Sequence, residues 1–167
     1  FGWQAKRLRE TIEQMKRSEE RELRAYMFLD GDKDLLNDFA INGERAGIEI
    51  NLRLKNVGAT PAFKLNYSFG AGMYLFPLTE SLPELTHGSN NLYLPPSADL
   101  ILRCQWATIW HKQVIEQGVH DGTRFFVWGE VWYVDAFEQD RFLKFRFMRE
   151  CKAGAILNYC EEGNEAN

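Results

Sequence analysis

The sequence predicts a mainly β chain, folded as an antiparallel sandwich of about seven short strands behind one charged N-terminal helix. Three observations carry this. Ile48, Ile50, Leu52 and Leu54 alternate with Glu49, Asn51, Arg53 and Lys55, a period of two with one apolar face, as in a half-buried strand. Asn56-Val57-Gly58-Ala59-Thr60-Pro61 then breaks the run with a turn, and a second alternation follows through Phe63, Leu65, Tyr67 and Phe69. Aromatic residues make up 14% of the chain, which suits a core of flat rings between two sheets.

Taken in order, residues 4–23 are rich in Gln, Ala, Lys, Arg, Leu and Glu and contain neither Gly nor Pro, so they predict a helix. Leu8, Ile12, Met15 and Leu23 form only a thin apolar stripe on it. Such a helix suits a solvated stalk, a weak self-pairing, or a helix laid along one side of a domain. Residues 24–29 read as the first strand, 30–34 as a polar turn, 36–41 as an edge strand or irregular segment, and Asn42-Gly43 as a turn. The Asp-rich 30–34 run lacks the Gly and Glu that a calcium loop requires at its sixth and twelfth positions, occupied here by Leu35 and Ile41. Gly70-Ala71-Gly72 is expected to end the second alternating strand, and 73–91 to be a long connection that packs on the sheets. Residues 92–94 and 99–106 read as further strands, and 108–117 as a short inserted helix stopped by Gly118. The 124–135 segment is apolar on both faces, which predicts a central strand covered on its second side. Residues 142–148 return as its partner. An acidic tail over 152–167 is expected to fray. Seven strands with turn signals between them fit an immunoglobulin-like sandwich, without the Cys…Trp…Cys arrangement of antibody domains, with a small barrel as the alternative. The domain organisation follows: 1–23 stalk helix, 24–151 sandwich, 152–167 tail.

With 167 residues the chain suits one domain and an appendage. A net charge of −4 argues against a nucleic-acid partner. Cys104, Cys151 and Cys160 have no C-x-x-C spacing, so neither a zinc site nor a disulfide framework is implied. No apolar window spans a membrane. Phe1-Gly2-Trp3 followed by Lys6, Arg7 and Arg9 is the aromatic-then-basic order found where a span leaves the bilayer, and with no initial Met a preceding segment is expected. The same basic residues favour a cytoplasmic domain by the positive-inside tendency.

Three short pieces then carry a resemblance. Arg24-Ala25-Tyr26, Lys55-Asn56-Val57-Gly58-Ala59-Thr60-Pro61-Ala62 and Gly129-Glu130-Val131-Trp132-Tyr133-Val134-Asp135-Ala136-Phe137 resemble, in order and spacing, the R-A-Y, K-N-x-G-x-T-P-A and G-x-V-x-Y-x-D-x-F pieces of a broad group of uncharacterised bacterial proteins. The resemblance implies a membrane-anchored sandwich reached through a charged helix, with no assigned activity and no cofactor.

No nucleophile elbow, phosphate loop or dinucleotide fingerprint is present. His87, His111 and His120 lack metal-ligand spacing, and an enzyme would need them to converge through the 73–91 and 107–122 loops. Asp135 reads as a hydrogen-bonding residue at a strand end. The stronger candidate is aromatic: Phe126, Trp128 and Trp132 share one face of a strand, with Trp106 and Trp110 close to a neighbouring one. Covered by the helix or the 73–91 connection, that face is core, which is the expected state. Left open, it is a patch for a partner or a sugar ring. The expected function is a non-catalytic membrane-proximal module acting through protein contacts, with a carbohydrate- or small-ligand-binding sandwich as the alternative.

Overall fold

The computed structural model describes residues 2–30, 36–41, 44–86, 88–107, 122–150 and 156–167. Over these residues it is mainly β, with one helix, α1 (Gly2–Leu23), ahead of ten strands: β1 (Met27–Asp30), β2 (Leu36–Ile41), β3 (Glu44–Asn56), β4 (Ala62–Leu75), β5 (Leu92–Leu94), β6 (Asp99–Ala107), β7 (Thr123–Val134), β8 (Asp140–Glu150), β9 (Asn158–Tyr159) and β10 (Glu165–Ala166). The expected inserted helix, residues 31–34 of the expected 30–34 turn, the 42–43 turn and Cys151 lie outside the described residues.

Every pairing is antiparallel. In the first sheet β3 is central. β6 runs along one side of it, and β1 and β2 lie end to end along the other. In the second sheet the order is β5-β4-β7-β8, with β9 and β10 both on the far edge of β8. The central position expected for the 124–135 strand is therefore observed. The alternation in β3 also holds: Ile48, Ile50, Leu52 and Leu54 are buried, and with Leu102 they face Val127, Val131, Phe145 and Phe147 of the second sheet in one core. Trp106 and Phe125 meet edge to face across the sandwich, with ring centroids 5.2 Å apart.

Four features differ from the sequence expectation. The strand expected to stop at Gly70–Gly72 runs on to Leu75, because its ladder with β7 continues through Gly72↔Phe126 to Leu75↔Thr123. Second, a register shift between Phe63 and Asn66, with Lys64 at φ 48°, inserts an extra residue and reverses the facing of what precedes it. Phe63 is thus thrown outward onto the Tyr93 ring, 5.6 Å away, while Leu65 stays buried. Third, the strand count rises from about seven to ten. Fourth, the stretch expected to fray contributes β9 and β10, which cap the open edge of β8. Short edge strands of this kind limit pairing with other chains. The tail also bridges the sheets: the Tyr159 ring lies 4.2 Å from that of Phe147, and its hydroxyl donates to the Leu29 carbonyl at 3.0 Å.

α1 buries no residue. Leu8, Ile12, Met15 and Leu23 are all exposed, so it does not lie along the domain. Among the described residues, the Tyr26 hydroxyl ties its C-terminal end, donating to the Arg21 carbonyl at 2.8 Å.

Candidate functional site

The three short sequence pieces converge where α1 meets the sandwich. Asn56 is fully buried. Its side-chain amide donates to the carbonyls of Thr60 and Leu94, and its Oδ1 accepts from the Gly58 N–H. Gly58 lies so close to Arg24 and Tyr26 that a Cβ there would stand 2.2 Å from the Arg24 carbonyl oxygen. Tyr133 reaches the same segment from the other sheet, its buried hydroxyl donating to the Ala25 carbonyl at 3.1 Å. Burial pushes the Tyr133 phenol up from its usual range. Asp135, 1% exposed, closes the β7–β8 turn. Its Oδ1 accepts from the Phe137 and Gln139 N–H groups, and its Oδ2 accepts from Arg141 Nε at 2.8 Å. Gly129, the first residue of the third piece, leaves room for the Phe145 ring, which a Cβ would meet at 2.3 Å. The strand-end role expected for Asp135 is what the geometry shows, and these pieces build the junction between α1 and the sandwich.

Tyr133→Phe leaves the Ala25 carbonyl without its buried partner. The expected loss is about 1 kcal/mol of stability, read as a fall in the urea midpoint with an unchanged slope.

The candidate binding face lies on the outside of the second sheet. Register sets its rows: Asn66–Trp132–Phe142, Ser68–Glu130–Lys144, Gly70–Trp128–Arg146 and Gly72–Phe126–Met148. The expected site residues separate in this frame. Phe126 is 1% exposed, packed by the Tyr74 ring 6.2 Å away. It is buried on this outer face, apart from the core cluster between the sheets. Trp106 belongs to the first sheet and points into the sandwich against Phe125, so it takes no part in this face. The alternation of β6 places it inward. Trp110, with His87, His111 and His120, lies outside the described residues. Trp128 and Trp132 remain on the outer face, both half-buried. The 73–91 connection runs along its β4 side: Trp128 Nε1 donates to the Pro83 carbonyl at 3.1 Å, Ser68 Oγ donates to that of Thr86, and the Asn91 N–H donates to Asn66 Oδ1.

Beside this strap a groove of about 590 Å³ stays open, floored by the rows of Glu130 and Trp128, with residues 81–85 on one side and Gly163 and Glu165 on the other. Lys144 lies 3.9 Å from Glu130 and 3.7 Å from Glu165. A second hollow of about 500 Å³ continues past Trp132 and Phe142 to Asn167. The tail wall and the charges beside Trp128 were missed by sequence reasoning, since both depend on which residues the pairing of β8 brings opposite. Among the described residues no cluster of His, Cys, Asp and Glu could hold a metal ion, and no helix is long and apolar enough to cross a membrane. Cys104 and Cys160 are free, half-buried thiols raised by burial.

Fold and face together define an antiparallel β-sandwich domain with a projecting helix and an amphipathic groove on one sheet. Comparison of the chain with protein-family models, curated proteins and solved structures finds no match.

Proposed function

We propose that the chain is a non-catalytic β-sandwich module, immunoglobulin-like in kind, held close to a bacterial membrane and acting through contacts with a protein partner. The observation that carries this reading is α1: 22 residues, none buried, with the end next to the sandwich fastened through Tyr26. A helix of that length reaches roughly 33 Å, and a helix in a protein draws most of its stability from packing its apolar face. Its stripe of Leu8, Ile12 and Met15 therefore serves something beyond the domain. At its N-terminal end Trp3 is 67% exposed, with the Arg7 guanidinium 4.5 Å above its ring, an amphipathic aromatic and a cation suited to a headgroup layer. The basic residues Lys6, Arg7 and Arg9 favour the cytoplasmic side.

The test is fractionation of the complete open reading frame in its native host, with alkaline washing and protease added to intact spheroplasts. The protein is expected to stay in the washed membrane, with the sandwich protected until lysis. Recovery in the soluble fraction would overturn the anchoring. Digestion in intact spheroplasts would move the domain to the outer side. A second reading, recognition of a carbohydrate or small ligand, is favoured by the open groove beside Trp128.

A further inference from the structure

Resting on that second reading, we infer that the groove is a site for a carboxylate-bearing sugar, with Arg146 taking the acid group and Trp128 the ring. Trp128 and Arg146 are direct neighbours across β7 and β8, and Glu130 and Lys144 are the next outward-facing pair. These four side chains form a patch roughly 5 Å by 7 Å, one strand spacing by two residues, the footprint of a single pyranose ring. Lys144 is shared by Glu130 and Glu165, whereas Arg146 has no ion-pair partner among the described residues. The Trp128 indole lies over Gly70 and the Arg146 guanidinium over Gly163, on opposite sides of the groove, so a ligand that carries a carboxylate on an apolar ring face can lie between them. Glu84, Glu130 and Glu165 also line the groove and supply acceptors for hydroxyls.

The floor also selects against a peptide. It is the face of a sheet whose backbone groups in β4, β7 and β8 are engaged in the ladders. A peptide added as a further strand needs an open strand edge for its main-chain hydrogen bonds, which this face does not present. A sugar is read by side chains, which is what this floor offers.

The experiment is an array of uronic-acid and neutral oligosaccharides probed with the full chain, followed by titration of the best-retained sugar with tryptophan fluorescence as readout. Uronic-acid sugars are expected to be retained. Arg146→Met and Arg146→Gln are each expected to weaken them roughly tenfold or more, with near-UV circular dichroism unchanged, and Trp128→Phe to remove most of the fluorescence change. Retention of neutral sugars alone, or uronic-acid binding indifferent to both Arg146 variants, would overturn the acid assignment while leaving sugar recognition standing. Retention of no sugar of either kind would overturn that recognition as well.

Discussion

Gly58→Ala is expected to lower the stability of the sandwich by about 3 kcal/mol, a fall in melting temperature of roughly 6 to 12 °C for a chain of this size. The added methyl has nowhere to go. Its nearest neighbours would be the Arg24 carbonyl at 2.2 Å, the Tyr26 nitrogen at 2.6 Å and the Ala25 Cα at 2.7 Å. All three are backbone atoms, which cannot swing aside as a side chain does. Relief requires that 56–61 and 24–26 separate, breaking the Val57 N–H to Tyr26 carbonyl bond of 2.8 Å and loosening the seat of α1. Thermal denaturation followed by circular dichroism measures the effect, and the exposed neighbour supplies a control, with Ala59→Ser expected to shift stability by less than about 0.5 kcal/mol. A melting temperature unchanged in Gly58→Ala would show that the close approach is not what holds the junction.

Asp135→Ala is expected to cost about 3 to 5 kcal/mol, because it strands the Arg141 guanidinium, itself mostly buried, without its partner. The Phe137 and Gln139 N–H groups lose their acceptor at the same time. The pH dependence has a definite sign. Burial pushes the Asp135 carboxyl up, but the Gln139 N–H, the Arg141 hydrogen bond, the Phe137 N–H and the Arg141 charge outweigh it, so the group titrates below its ordinary value. A carboxyl depressed in the folded state adds stability that is fully present above the unfolded value of about 3.9 and is lost as pH falls through the folded one. Urea unfolding of wild type and Asp135→Asn between pH 6 and pH 2 checks this. Wild type is expected to hold its advantage above pH 5 and to lose it on acidification, so that the two curves converge. An advantage that grows toward low pH would contradict it.

Most of the architecture was legible because burial imposes a period on the sequence. The four apolar residues of β3 had to share a face, and β7, apolar on both faces, had to be central. The three short pieces were legible as patterns, but their meaning was not. Asn56, Gly58, Ala25, Tyr133 and Asp135 are separated by as many as 110 residues in the chain, and only folding shows that most of them meet at one junction. The candidate face was half legible. Parity along β7 placed Phe126, Trp128 and Trp132 together, yet whether each is open depends on Tyr74 and on where the strap crosses, neither of which has a periodic signal.

The amino-acid sequence by itself determined the class of fold, the projecting charged helix and the turn residues, since these follow from local periodicity, propensity and backbone freedom. Only the tertiary structure decided the outward turn of Phe63, the docking of the tail on β8 and the pairing of Trp128 with Arg146. Each of these depends on register between strands distant in the chain. Register is fixed by the whole ladder and its bulges, so no single segment contains it.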